Sequence, residues 1–191
     1  LWEFHESGGS VTGDSSGKGN VGTLVGDAQL GDSVLRLSGQ GYVRVPASPS
    51  LNSPALNTWQ FAGELSVNVP AGAPADQVFL SRSERALDDQ EVGLVLGITG
   101  DVPFVRYGGH DAKAVTKLPR QSWHQLAFAY DGITLWLYVD GVAVSYMDIG
   151  WPSDATNNPL LIGAETIGST VAAAANAYID DVAFRDVAVA P

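Results

Sequence analysis

The densest group of oxygen-bearing side chains lies near the start of the chain, in segment 13–22. There Asp14, two serines and Asn20 alternate with four glycines. Glycine lets a short loop turn its carbonyl and carboxylate oxygens toward one point, and calcium takes roughly six to eight such oxygen ligands. An ordinary solvated loop has the same composition, so both interpretations stay open. The glycine spacing does not match the phosphate-binding G-x-x-x-x-G-K-[ST] pattern.

Two adjacent carboxylates, Asp180 and Asp181, lie inside a strand-like run, 178–184, near the other end of the chain. Alternation along a strand predicts that they point to opposite faces. One of them would then face the interior or a neighbouring segment, and an inward carboxylate needs a cation or hydrogen-bond donors, because burying it unpaired is very costly. Pairing that carboxylate with the Asp14 loop through a cation would satisfy both groups and join the chain ends.

A third group combines an aromatic ring, an imidazole and a guanidinium. Arg106 precedes segment 107–111, which holds Tyr107 and His110 around two glycines, and Trp151 stands in a separate loop. Sugars dock their apolar faces on exposed aromatic rings and their hydroxyls on a few fixed polar groups. We therefore expect ligand contacts at Trp151, Tyr107, His110 and Arg106. A hairpin loop that merely exposes polar groups remains the alternative.

The elements that position these residues read as β-strands. The 22 glycines and 10 prolines separate short runs of β-branched and aromatic residues, a pattern typical of an all-β sandwich or barrel. The predicted strands are 1–5, 33–37, 41–45, 58–69, 77–81, 92–98, 104–107, 123–130, 133–139, 142–146, 160–162 and 177–184. The dipeptides Asp131-Gly132 and Asp140-Gly141 predict tight hairpin turns. Segment 171–175 is alanine-rich and is interpreted as a helical turn or a loop.

So many strands exceed one twisted sheet, so we expect two antiparallel sheets packed face to face, about 10 Å apart. Within 133–139, alternation places Leu135 and Leu137 on one face and Trp136 and Tyr138 on the other. If the leucines face the core, the two aromatic rings lie on an outer sheet surface.

Composition excludes several classes of function. The formal charge of −11 repels phosphate backbones and anionic membrane surfaces, so nucleic acid is not an expected partner. The apolar runs are too short to cross a bilayer, so we expect no membrane insertion. The absence of cysteine excludes disulfides, thiolate metal sites and cysteine nucleophiles. We interpret residues 1–191 as a single domain, excised from a longer secreted protein.

An ordered set of motifs resembles the laminin G-like jelly rolls of the concanavalin A-like lectin/glucanase superfamily. The resemblance covers nearly the whole chain. The motifs are Trp2-x-Phe4, Asp14-Ser15-Ser16-Gly17, Gly19-Asn20 with Gly22, Leu35-Arg36-Leu37-Ser38-Gly39-x-Gly41-Tyr42-Val43-x-Val45-Pro46, Trp123-His124-Gln125-Leu126-Ala127, Tyr130-Asp131-Gly132, Leu135 with Leu137-Tyr138-Val139-Asp140-Gly141, Leu161-Ile162-Gly163 and Ile179-Asp180-Asp181-Val182.

The resemblance implies a two-sheet antiparallel sandwich with a structural calcium near the paired chain ends. Carried over residue by residue, the calcium ligands fall on Asp14, Asn20, Asp180 and Asp181, with Asp180 favoured over Asp181. It also implies glycan or matrix recognition by a secreted or cell-surface protein that carries other domains on the same polypeptide.

The function expected from these features is a non-catalytic carbohydrate-binding or adhesion module. A polysaccharide-active enzyme of the same fold, either a glycosidase or a lyase, and a structural spacer without a small ligand are the alternatives. Retaining glycosidases need two carboxyl groups about 5 to 5.5 Å apart. The glucanase relatives supply them from an E-x-D-x-x-E strand, which this chain lacks. We therefore predict no catalytic residues.

Overall fold

In a computed structural model of the chain, the residues described are 1–51, 60–85, 91–150, 157–168, 170–172 and 175–185, and they form strands and turns. None of them lies in a helix that is long and apolar enough to span a membrane. The strands are β1 (Val11–Thr12), β2 (Gly22–Val25), β3 (Gln29–Gly31), β4 (Val34–Ser38), β5 (Tyr42–Val45), β6 (Phe61–Asn68), β7 (Gln77–Arg85), β8 (Glu91–Thr99), β9 (Val102–Tyr107), β10 (His110–Lys113), β11 (Trp123–Tyr130), β12 (Thr134–Val139), β13 (Val142–Asp148), β14 (Leu160–Ile162), β15 (Glu165–Ile167), β16 (Thr170–Ala172) and β17 (Asn176–Arg185).

The strands form two sheets. The large sheet runs in the order β1-β2-β5-β14-β7-β8-β9-β10, with the β15–β16 hairpin attached beside β7. The small sheet runs in the order β13-β12-β11-β6-β17-β4-β3. The pairing is antiparallel except where β15 meets β7 in parallel. The predicted all-β, two-sheet antiparallel sandwich is confirmed.

The hairpin turns follow the local chemistry of their dipeptides. Asp131 Oδ1 accepts hydrogen bonds from the N–H groups of Ile133 and Thr134, at 2.9 and 2.8 Å, which closes the turn between β11 and β12. Asp140 and Gly141 have φ angles of 52° and 75°, which is the backbone of a two-residue type I′ turn. Both predicted hairpins are confirmed.

The core lies between the two sheets and is built by alternation along each strand. In β12, Leu135 and Leu137 are fully buried, whereas Trp136 and Tyr138 are half-buried on the outer face. The Trp136 ring meets the ring of its cross-strand neighbour Tyr146 at a centroid distance of 5.0 Å. Tyr146 is 61% exposed, so the predicted outer placement of the aromatic side chains of β12 is confirmed.

The two ends of the described chain meet at Trp2. Its N–H donates to the Val182 carbonyl at 2.9 Å, and the Val182 N–H returns a bond of 3.0 Å. The indole Nε1 donates to the Asn20 carbonyl at 2.8 Å. The predicted strand 1–5 is reduced to this single bridge, because Phe4 adopts a φ of 49° that turns the chain away from the sheet.

Two predicted irregular segments contain strands. The predicted loop 107–111 is wrong in extent, since only Gly108 and Gly109 form the turn and His110 already begins β10. The sequence predicts a helical turn or a loop for segment 171–175, whereas Thr170–Ala172 form β16, which pairs with β15. In both places a strand of only three or four residues forms by pairing with the strand beside it.

Candidate functional site

Asp14 organises the glycine-rich loop through its carboxylate. Oδ1 accepts a hydrogen bond from the nitrogen of Leu1 at 3.1 Å and another from the Ser16 N–H at 2.9 Å. Oδ2 accepts from the Asn20 N–H at 2.9 Å. Burial raises the pKa of Asp14, but these hydrogen bonds outweigh burial and hold its pKa below the usual value for an aspartate. The carboxylate is therefore ionised, and both of its oxygens already accept hydrogen bonds from within the chain.

Asn20, the second predicted calcium ligand, lies beside Asp14 but turns its side chain toward two serines. Its Oδ1 accepts from the hydroxyls of Ser48 and Ser50, at 2.6 and 3.2 Å. Its Nδ2 donates to Ser50 Oγ at 3.0 Å. The structure thus brings Asp14 and Asn20 together, with the Asn20 side chain used to hold the 48–50 segment.

A β-bulge separates Asp180 and Asp181 from strict alternation. The pairing of β17 with β6 shifts between Asp180 and Ala183, and Asp181 has a φ of 50°. Ile179 and Val182 are fully buried, which leaves Asp180 half-buried and Asp181 exposed. Neither carboxylate is fully buried, because the bulge inserts one extra residue between the inward-facing positions of Ile179 and Val182.

Three of the four predicted calcium ligands already use side-chain oxygens as hydrogen-bond acceptors within the chain. Asp14 and Asn20 offer oxygens that already accept hydrogen bonds, and Asp180 Oδ1 accepts from the Asp181 N–H at 2.9 Å. In the part of the chain that the structure describes, no three acidic or histidine side chains are grouped so as to hold a metal ion. Partial burial and the neighbouring Asp181 raise the pKa of Asp180.

The predicted ligand contacts are also separated. Tyr107 is 1% exposed and its ring packs in the core against Phe61 and Tyr130, so the expected surface contact at Tyr107 is corrected. His110 is exposed at the start of β10. Alternation places Arg106 on the outer face, away from Tyr107. Trp151 lies outside the described residues.

Arg106 borders a depression of about 310 Å³ on the outer face of the large sheet. Its apolar lining includes Val78, Val95 and Phe104, which form a small hydrophobic cluster separate from the main core. Val95 pairs with Arg106 across β8 and β9, and Phe104 lies two residues before Arg106. The Arg106 guanidinium carbon stands 5.4 Å from the centre of the Phe104 ring.

The shape of this depression, which we call the sheet pocket, follows from register. Gly97 lies between Val78 and Phe104 in the cross-strand pairing. A Cβ atom at Gly97 would come 2.2 Å from the Gln77 carbonyl oxygen, so only glycine fits there. Because glycine has no side chain, the sheet surface is depressed at Gly97, between the side chains of Val78 and Phe104.

The polar part of the sheet pocket comes from Asp76, Gln77, Thr99, Arg106 and Glu165. Asp76 Oδ1 accepts from the Thr99 hydroxyl at 2.7 Å and from the Gly100 N–H at 2.9 Å. These bonds lower the pKa of Asp76, so its carboxylate is ionised at neutral pH. The pocket therefore combines an apolar lining with fixed hydrogen-bonding groups.

Arg120 braces the loop that carries Asp76. Its Nη1 donates to the carbonyls of Ala71 and Ala73 at 2.9 and 2.6 Å, and its Nε donates to Asp101 Oδ1 at 3.1 Å. The guanidinium fork can serve several acceptors at once in a fixed plane. Arg120 thus fixes the position of the loop before Asp76 relative to the turn at Asp101.

Ser122, His124 and Asp140 form a chain of hydrogen bonds on the small sheet. Ser122 Oγ lies 2.9 Å from His124 Nε2, and His124 Nδ1 lies 2.8 Å from Asp140 Oδ2. Asp140 Oδ1 also accepts from the Gln125 N–H, and the Asp140 N–H donates to the Gln125 carbonyl, both at 2.9 Å. The trio therefore fastens the β12–β13 turn to β11.

The sequence predicts Arg106 as a ligand contact beside the 107–111 loop and gives no indication of Phe104, Asp76 or Glu165, which line the pocket with it. Phe104 was assigned to a strand without a stated face, and the two carboxylates belong to distant segments that only the sheet register brings together. The local signal for the pocket is Gly97, a glycine within the mostly β-branched and aliphatic run 94–98.

Solved structures of several carbohydrate-active or carbohydrate-binding proteins share this fold. Domain 4 of AbnA, a GH43 extracellular arabinanase from Geobacillus stearothermophilus solved with arabinotriose, is 15% identical, with a TM-score of 0.57. That match covers 98% of this chain and 80% of the domain. A mutant Trypanosoma rangeli sialidase with trans-sialidase activity is 14% identical, with a TM-score of 0.73, over 97% of this chain.

The binding domain of botulinum neurotoxin DC, solved in complex with SialylT, is 12% identical, with a TM-score of 0.66, over 97% of this chain. The chain spans 30% of the sialidase chain and 49% of the neurotoxin chain. At these identities the likeness shows a shared fold.

Among curated proteins, none matches this sequence. One family does match, over residues 37–191, and its description is the concanavalin A-like lectin/glucanases superfamily. The match covers most of the chain and includes every strand of both sheets from β5 onward. With two antiparallel sheets and this match, the chain belongs to the laminin G-type family of the concanavalin A-like lectin/glucanases superfamily.

Proposed function

We propose that this chain is a non-catalytic carbohydrate-binding module of a secreted or cell-surface protein, and that the sheet pocket holds the sugar. The observation that carries the proposal is the combination of an apolar lining and fixed polar groups in one depression of about 310 Å³. Small-ligand sites are concave, mostly apolar and oriented by a few polar groups. The arabinanase domain solved with arabinotriose and described as extracellular supports both parts of the proposal.

The pocket suits one or two sugar rings. The apolar face of a ring would pack on Val95 and Phe104, while ring hydroxyls would bond to Arg106, Asp76 and Glu165. Carboxylates accept hydrogen bonds from hydroxyls, and guanidinium groups donate to them. Since hydrogen bonds to charged groups are the stronger ones, a few such contacts orient a small polar ligand.

A polysaccharide-active enzyme is the second candidate, because two carboxylates, Asp76 and Glu165, line the same pocket. A glycosidase needs one carboxyl group whose pKa is raised so that it can donate a proton. The hydrogen bonds from Thr99 and Gly100 lower the pKa of Asp76, which suits an acceptor for sugar hydroxyls. An ionised Asp76 would suit either role, so we favour binding over hydrolysis because the chain lacks the E-x-D-x-x-E strand of the glucanase relatives.

A glycan array followed by calorimetry tests the pocket. Arg106→Ala should weaken binding of the best array ligand about tenfold or more, since a hydrogen bond to a charged group is worth about 1.5–3 kcal/mol. The matched control is Arg36→Ala, which removes another arginine paired with an aspartate, on the small sheet. That control should leave affinity unchanged.

Trp136→Ala probes the competing outer surface, where Trp136 stacks with Tyr146 on the small sheet. Loss of binding in this variant together with full binding by Arg106→Ala would show that the sugar binds the small sheet, which contradicts our proposal. Release of reducing sugar from a polysaccharide panel, abolished by Asp76→Asn, would instead establish the enzyme.

Calcium stays a prediction that follows from the family resemblance. A ligand bound only by the folded state stabilises it by mass action. If the prediction is right, adding calcium to chelator-stripped protein raises the melting temperature, and Asp14→Asn abolishes the rise. Asp32→Asn, at an exposed aspartate paired with Arg36, is the control for lost charge. Identical melting curves with and without calcium contradict the prediction.

A further inference from the structure

The positive charge of Arg106 is matched by a neighbour. Arg106 Nε lies 2.5 Å from Asp111 Oδ1, and Nη2 lies 2.9 Å from Oδ2, so the ion pair is bidentate. The two residues are direct cross-strand partners in β9 and β10. The register and the ring of Phe104 beneath the guanidinium hold the pair in one geometry.

We propose that the Arg106–Asp111 ion pair makes the sheet pocket selective for uncharged sugars over sialylated or uronic acid sugars. This inference rests on the proposed function and names the class of ligand that the pocket takes. An acidic sugar would compete with Asp111 for the N–H groups of Arg106, whereas a hydroxyl-bearing sugar needs only an acceptor or donor at the rim.

The charges around the pocket favour the same class. Asp76 and Glu165 line it, and Asp111 stands behind Arg106, which places three carboxylates near the ligand. Arg106 lines the pocket and Lys113 interacts electrostatically with Asp76, which places two cations there. Among the residues that the structure describes, these groups are three carboxylates against two cations, and the whole chain carries a formal charge of −11. A sugar carboxylate is therefore repelled at this site.

The test compares matched neutral and acidic oligosaccharides on the intact chain at low salt. The probes are lactose against sialyllactose, galactobiose against digalacturonic acid, and xylobiose against its glucuronic acid counterpart. In each pair that binds, we expect the acidic member to bind about three- to tenfold more weakly, the range set by one unit charge several ångströms away in a high effective dielectric.

Asp111→Asn is the decisive variant, since it keeps the side-chain shape and releases the guanidinium. We expect it to raise the affinity for the acidic member of a pair about tenfold relative to the neutral member, through a charge-assisted hydrogen bond. Asp32→Asn removes the same charge from an Arg–Asp pair on the small sheet and should leave the ratio unchanged.

Three results would overturn the inference. Wild-type protein that binds acidic sugars as tightly as neutral ones removes the charge preference and leaves the proposed function standing. An equal change of ratio in Asp111→Asn and Asp32→Asn assigns the effect to net charge instead of the ion pair. Failure of the wild type to bind any probe or array glycan overturns the proposed function itself. Melting curves of both variants establish that they are folded.

Discussion

Replacement of Trp2 by alanine is expected to lower the free energy of unfolding by about 3–5 kcal/mol, the usual cost of deleting a large buried aromatic side chain. Trp2 is 1% exposed and packs in the main core. Its backbone exchanges two hydrogen bonds with Val182, and its indole donates to the Asn20 carbonyl. One side chain therefore connects the glycine-rich loop to the last strand.

Urea denaturation followed by circular dichroism measures this loss. Trp2→Phe is the matched variant, because it keeps most of the apolar volume and removes the indole N–H. It should cost about 1–3 kcal/mol, since the Asn20 carbonyl is then left without its partner. If Trp2→Ala loses less than about 1 kcal/mol, well below the ordinary range for such a deletion, the closure of the two chain ends contributes little to stability.

The parts of the fold that the sequence predicts well depend on short-range rules. Residues 123–130 and 160–162 are strands with the predicted bounds, and the Asp131-Gly132 and Asp140-Gly141 turns form as expected. In each case the deciding information lies within a few residues: a run of β-branched and aromatic side chains, or a dipeptide that tolerates positive φ.

The failures depend on how whole strands pair. His110–Lys113 is a polar tetrapeptide that is a strand because β9 lies beside it. Asp180 and Asp181 escape the interior because a bulge against β6 breaks alternation. The bulge has no local signal, since it is decided by the pairing of β17 with β6, whereas the Gly108-Gly109 pair is a local hairpin signal that precedes β10.

The sheet pocket likewise combines features that nearby residues predict with features that only strand pairing decides. The sequence predicts Arg106 as a ligand contact because Tyr107 and His110 lie close to it along the chain, yet in the structure its side chain contacts Phe104 and Asp111. Alternation alone would have separated Arg106 from Tyr107 once the hairpin turn at the two glycines was recognised. Asp76 and Glu165, nearly ninety residues apart, meet there only through the sheet order.

Phe61→Ala is expected to have an effect as large as Trp2→Ala, a loss of about 3–5 kcal/mol in the free energy of unfolding. The Phe61 ring meets the rings of Tyr107, Tyr130, Phe128 and Phe184 at centroid distances of 4.9 to 6.0 Å. Aromatic pairs of this kind contribute about 0.5–1.5 kcal/mol beyond their buried area.

The variant should also affect the pocket, because Tyr107 directly follows Arg106 in β9 and packs edge-on against Phe61. A gap behind Tyr107 would let β9 shift, and Arg106 with it, so sugar affinity should fall along with stability. Phe61→Leu keeps apolar volume and should lose less stability and less sugar affinity.

Tyr146→Ala removes an aromatic pair that is largely exposed on the small sheet, and should cost about 0.5–1.5 kcal/mol in the free energy of unfolding. Equal losses of unfolding free energy for Phe61→Ala and Tyr146→Ala would contradict the view that the buried aromatic cluster holds the sheets together behind the pocket.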